Sequence, residues 1–160
     1  MEIKTIKIDI PEGLNIIIGQ SHFVKSIEDL YEILLGSSPS LKFGVAFSEA
    51  SGPCLTRYEG NDEALMKLAA ETSFSLSCGH TFVIFLKDGF PINVLNALKN
   101  CQEVCHIICA TANPLRVIVA ETEEGNGILG VIDGVKPKGI EKEEDKKARK
   151  ELLRRFRYKL

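Results

Sequence analysis

The stretch Cys78-Gly79-His80-Thr81-Phe82-Val83-Ile84-Phe85-Leu86 places a glycine and a histidine at the mouth of a nearly unbroken apolar run. A strand with one wet face alternates apolar and polar residues, so a run without alternation reads as a strand covered on both faces. Pro91 then falls at an expected first helical position, and Ile92, Leu95 and Leu98 follow at three-residue spacing. Strand and helix alternate on either side of this unit. The pattern predicts an α/β fold, a three-layer sandwich with helices packed on a mixed β-sheet.

Upstream, "IKIDI" and "LNIIIG" read as strands joined by the turn "PEG". Phe23, Ile27, Leu30, Tyr31, Leu34 and Leu35 recur at helical spacing after Ser21, an expected cap, and Gly36 closes the pattern. "KFGVAFSEA" and "PCLTRYEG" read as strands. Asn61 then reads as the cap of a helix with Ala64, Leu65, Leu68 and Ala69 on its inner face. Downstream, "EVCHIICATA" and "LRVIVAET" are further strands, with "GILGVIDG" a candidate for one more. From about 141 to 158 the chain becomes a dense charged helix, expected to dock through Leu152, Leu153 and Phe156. No repeat or linker divides residues 1–160, which read as one domain.

Composition limits the function classes. Lysine and arginine total 20 against 22 acidic residues, so no positive excess advertises nucleic acid or an anionic membrane. The longest apolar runs fall far short of the roughly 20 residues a spanning helix needs. The first residues lack the apolar core of a secretory signal, so a cytoplasmic location is expected. Five cysteines form no C-x-x-C pair and read as reduced thiols acting as small apolar side chains, with zinc as the minor alternative.

Several motifs leave chemistry open. Gly125-Asn126-Gly127-Ile128-Leu129-Gly130 matches G-x-G-x-x-G, but "VIDG" behind it does not read as the helix that dinucleotide binding needs. A tight β-turn and a backbone-lined phosphate contact through Gly125 and Gly127 both remain. Ser51, Gly52 and Arg57 could contact phosphate, with Glu49, Glu59 and Asp62 as candidate Mg²⁺ ligands, or the same letters could serve turns and caps. Lys25 stands at a helix start, where a positive charge opposes the dipole and is explained by a nearby anion. A P-loop is absent.

The segments "GQSHFVKSIEDLYE", "KFGVAFSEASGP", "YEGNDEAL", "GHTFVIFLKDGFPINVLNALK", "ATANP", "GILGVIDG" and "KARKELLRRFRYKL", in this order, resemble the adenosine-specific kinase family from about Ile18 to Leu160. The resemblance implies an α/β sandwich that forms a homo-oligomer, a trimer by that pattern, and binds adenosine or adenine nucleotides. It also implies a phosphotransferase using ATP and Mg²⁺ through a phosphorylated histidine, which maps onto His80 in Gly79-His80-Thr81-Phe82. Asn93 and Asn113 are then candidates for the base and ribose. The alternative function is a non-catalytic adenine-nucleotide sensor.

Overall fold

The computed structural model describes residues 1–160. The elements run β1 (Glu2–Ile8), β2 (Asn15–Ser21), α1 (Ser26–Ser37), β3 (Lys42–Ser48), β4 (Thr56–Gly60), α2 (Glu63–Leu76) and β5 (Thr81–Lys87). They continue with α3 (Pro91–Lys99), β6 (Val104–Thr111), β7 (Leu115–Glu121), β8 (Asn126–Asp133) and α4 (Glu143–Arg155). A five-stranded sheet of order β4-β3-β5-β2-β6 forms the middle layer. On one face α1 and α3 seal a core with Phe43, Phe47, Phe82, Ile84 and Leu86. On the other, α2 and the three-stranded sheet β1-β7-β8 seal a second core with Ile16, Ile18, Val83 and Phe85.

The expected sandwich is therefore present, and β5 alternates its side chains into both cores. Its apolar run is continuous because neither face meets water. The strand pairings differ from a mixed sheet: every ladder is antiparallel, and the one parallel contact is the isolated bridge Cys78–Asn126. The reason lies in the crossovers. Each of β2-α1-β3, β4-α2-β5 and β5-α3-β6 joins strands running the same way, but a third, antiparallel strand is inserted between the two. The "PEG" turn likewise separates strands that enter different sheets, since β1 pairs β7 while β2 pairs β5 and β6.

Local boundaries correct four readings. Ser21 ends β2 instead of capping α1, and its buried hydroxyl has no partner. Asp62, not Asn61, caps α2 by accepting from Leu65 N at 3.1 Å. Asn61 instead ties β3 down, accepting from Phe43 N and donating to Leu41 O, each at 2.8 Å. Pro91 opens α3 as expected, but the helix buries Val94 and Leu98, while Ile92 is exposed. The charged tail does form a helix, α4, yet none of its residues is buried and Leu152 and Phe156 face solvent. Phe156 and Tyr158, just past the helix, line a cleft with Phe90, Pro91 and Ile92, so the segment approaches the body of the protomer without burying a residue there.

The approach of α2 to the sheet depends on Gly44, where a Cβ would lie 2.2 Å from the Leu65 carbonyl group. Backbone cannot yield as a flexible side chain can, so Gly44→Ala is expected to cost about 2–3 kcal/mol. At Gly36, in the last turn of α1, an added methyl group would meet no atom within 4 Å. Gly36→Ala should be neutral to about 1 kcal/mol stabilising. Urea unfolding of both variants checks the contrast, and equal midpoints would contradict the packing described.

Candidate functional site

The strand registers bring four links together at one end of the five-stranded sheet. They are the β3–β4 loop, the α2–β5 link, the β2–α1 link and the α3–β6 link, because Ser48, Thr56, Thr81, Ser21 and Val104 all fall at that end. His80 lies among them in the left-handed region, at φ 58°. Its N–H donates to Ser48 O at 2.7 Å and its carbonyl accepts from Ser21 N at 2.9 Å, so β3 and β2 hold it from both sides. That conformation costs a non-glycine residue about 1–2 kcal/mol and persists only where surrounding structure enforces it. The imidazole stacks on Phe47 with centroids 5.9 Å apart and planes at 25°. Gly79 before it lets the β3–β4 loop close in, since a Cβ there would sit 2.8 Å from the Ala50 methyl.

Two sizeable clefts open at this end, beside a smaller one of about 330 Å³ along the α3–β6 link. The first, about 660 Å³, lies between the start of α1 and β4 and is lined by Phe23, Val24, Lys25, Leu55, Arg57 and Glu59 among others. The second, about 530 Å³, lies between the β3–β4 loop, the end of α2 and the β7–β8 turn. Its walls include Ser48, Glu49, Phe74, Ser77, Gly79 and Gly125. Leu55 and Thr56 belong to both. Each cleft is of the size that small organic ligands occupy. Cys54 and Ser77, on the walls of the second cleft, share the positive φ of His80. Enforced backbone of this kind gathers at ligand sites.

The charges are pre-arranged. Arg57 donates from Nε and Nη2 to Glu49 Oε1 at 3.1 and 3.0 Å, and Glu49 Oε2 accepts from Leu55 N at 2.8 Å. The Leu55 amide and the Arg57 guanidinium together hold the Glu49 carboxyl below its usual range, against the effect of desolvation. Lys25 Nζ donates to Asp29 and, at 3.2 Å, to Glu103 Oε1. The anion anticipated beside Lys25 is thus internal. Glu103 is 4% exposed, and Cys101 Sγ donates to its other oxygen at 3.2 Å. Burial alone pushes the Glu103 carboxyl up; hydrogen bonding with Asp29, Cys101 and Lys25 outweighs that and holds it at about 2.

Of the residues singled out from sequence, His80, Lys25, Glu49, Ser51, Gly52, Arg57 and Gly125 gather at this end, with Ser51 and Gly52 at the exposed loop tip. Glu59 lines the first cleft from the second-last residue of β4, and Gly127 pairs with Ala120 within β8. Asn93, Asn113 and Asp62 lie at the opposite end of the sheet, a strand length of roughly 20 Å away. There Asn93 accepts from Phe90 N at 2.9 Å, Asn113 donates to Asp133 at 3.0 Å and Asp62 caps α2. Glu49, Glu59 and Asp62 therefore do not converge on one cation. The acidic groups that do converge are Asp29 and Glu103, with Cys101 beside them, and Lys25 already serves as their counter-charge.

Sequence reasoning missed Glu103 and Phe74, and it placed Phe23 on the inner face of α1. Phe23 is 49% and Phe74 72% exposed, both on cleft walls. An apolar residue that breaks its helix's buried stripe is the available signal. The G-x-G-x-x-G segment forms the β7–β8 turn and β8 itself, with Thr122 Oγ1 donating to Gly125 O at 2.9 Å, so no helix terminus stands behind it. Three cysteines are buried and two exposed, all five as free thiols.

The fold is an α/β sandwich with two sizeable clefts at the His80 end. The chain belongs to the family described as "Adenosine specific kinase", which it matches over residues 6–159. It is similar over nearly all its length to PH1918 protein from Pyrococcus horikoshii OT3. That crystal structure shares 46% identity at a TM-score of 0.95, covering 99% of this chain and 98% of that one. No curated protein matches the sequence.

Because Glu103 titrates near 2 when folded against an ordinary 4.5, it stabilises the fold above pH 4.5, and that contribution is lost as pH falls through 2. Glu103→Gln is expected to lower the melting temperature at pH 7, and its gap to the parent should shrink steadily from pH 4.5 towards 2. A gap unchanged across that window would show that Glu103 is not the ionised partner of Lys25.

Proposed function

We propose that the protein is a phosphotransferase in which Mg²⁺-ATP phosphorylates His80 and the phosphohistidine passes the group to adenosine or a related acceptor. The observation that carries this reading is the enforced left-handed His80 at the end of the sheet where both clefts open, one of them bearing Lys25 and Arg57. Family membership supports phosphoryl transfer to adenosine as the class of reaction.

Phosphoryl transfer relies mainly on positioning and on neutralising charge around the equatorial oxygens. Lys25 and Arg57 supply donors whose side chains remain 46% and 40% exposed to the cleft while their carboxylate partners fix them. Nearby Glu28 and Glu59 add negative charge to the same walls, so the nucleotide is taken as its Mg²⁺ complex rather than as the free anion. Stacking on Phe47 fixes the plane of the imidazole, and the bonds to Ser48 and Ser21 fix its backbone. A nucleophile held in this way meets the γ-phosphorus without searching rotamers. The bare outer face of α4 supports a homo-oligomer in which that helix packs on a second copy, with a trimer the expected size by light scattering.

Incubation with Mg²⁺-ATP and adenosine tests the reading. The parent should form AMP, and His80→Ala should lose at least about 10³-fold in rate while still binding nucleotide. Tight binding of adenine nucleotide by the parent with no AMP at any metal concentration would favour the sensing protein instead.

A further inference from the structure

The two clefts at the His80 end differ in charge, and the difference assigns them different ligands. Lys25 and Arg57 both line the first cleft, whereas no lysine or arginine lines the second. The second carries Glu49 and Glu124, beside Phe74, Gly79 and Gly125 and the hydroxyl groups of Ser48 and Ser77, while the first offsets Glu28 and Glu59 with its two cations. A triphosphate entering the second would find no lysine or arginine on its walls, since the Arg57 guanidinium that pairs with Glu49 opens onto the first cleft. An uncharged nucleoside needs none: its base can lie on the exposed Phe74 ring, and its sugar hydroxyls can donate to the acidic groups.

His80 is tied to both. Its N–H donates to the carbonyl of Ser48, a wall residue of the second cleft, and its ring stacks on Phe47. Phe47 is paired directly with Arg57 of the first cleft across the β3–β4 ladder. His80 is in neither lining itself: Gly79 before it is a wall residue of the second cleft, and Phe47 beside its ring links it to Arg57 of the first.

We propose that the clefts divide the substrates: the nucleotide donor binds between α1 and β4, the uncharged nucleoside acceptor binds between α2 and the β7–β8 turn, and His80 carries the phosphoryl group from one to the other. This assignment rests on the phosphohistidine reading above. In the first step an imidazole nitrogen forms a bond to the γ-phosphorus while the bond to the β,γ-bridging oxygen breaks. ADP leaves with that electron pair, and the ring's other N–H proton goes to water. In the second step the nucleoside 5′-hydroxyl oxygen bonds to phosphorus, the P–N bond breaks with its pair returning to the ring, and the hydroxyl proton passes to the imidazole. The sum is ATP and adenosine to ADP, AMP and one proton released to water.

The two half-reactions can be read separately on the full-length protein. Exchange of labelled ADP into ATP without adenosine reports the first, and discharge of isolated phosphoenzyme by adenosine reports the second. Phe74→Ala is expected to leave exchange within about twofold of the parent and to raise the adenosine concentration for half-maximal discharge at least about tenfold. Lys25→Ala should slow exchange at least about tenfold and leave discharge within about twofold. Equal effects of either variant on both half-reactions would overturn the division. Should the parent form no phosphoenzyme, the phosphohistidine reading fails, and calorimetry of adenosine binding with ATP saturating decides the clefts by themselves. Adenosine binding undiminished by ATP and weakened by Phe74→Ala upholds two clefts, and competition between the two ligands overturns them.

Discussion

The burial of β5 on both faces is the constraint from which the rest of the molecule follows. Phe82, Ile84 and Leu86 point into one core and Val83 and Phe85 into the other, each with no exposed surface. At about 2–3 kcal/mol for each large side chain removed from water, such a strand stabilises the fold only if a layer covers each side. One layer is α1 with α3, and the other is α2 with the second sheet. With β5 held at the centre, the residue before it has little freedom. His80 must leave the end of α2, enter the middle of the sheet and satisfy Ser48 on one neighbour and Ser21 on the other. Its left-handed backbone is a consequence of that position.

The antiparallel weave explains why one end of the sheet collects the two clefts and their charged pairs. Links from four elements meet at the His80 end because alternate strands start or finish there, and their charged residues form two separate carboxylate–cation pairs. Glu49 holds Arg57 on the β4 side, and Glu103 with Asp29 holds Lys25 near β6. His80, on β5, lies between them in the strand order. Neither cation is free, which keeps the clefts ordered and limits their attraction for a bare anion. That balance suits a ligand whose charge is already partly neutralised by a metal ion.

Much of the fold is legible in the sequence because it depends on local chemistry. The unbroken run after His80 announces a doubly covered strand, Pro91 announces the start of α3, and Lys25 at a helix start announces an anion. The identity of that anion is not legible, since Glu103 is remote in sequence and reaches Lys25 only through the pairing of Ser21 with Val104. Asn93 and Asn113 look equivalent to the other candidates because sequence does not say at which end of a strand a loop emerges. The βαβ order suggests neighbouring parallel strands, and only the long-range registers reveal the third strand inserted in each pair. For α4, the pattern of Leu152 and Phe156 shows a face that needs a partner without naming whose surface supplies it.

Where the phosphoryl group rests between donor and acceptor decides whether His80 is the carrier. The chain contains three histidines, His22, His80 and His106, so tandem mass spectrometry of peptides kept above neutral pH after brief exposure to Mg²⁺-ATP can place it. A single phosphoryl group on the peptide containing His80, removed by adding adenosine, is the predicted result. Phosphorylation at either other histidine, or none under conditions where AMP accumulates, would contradict that role.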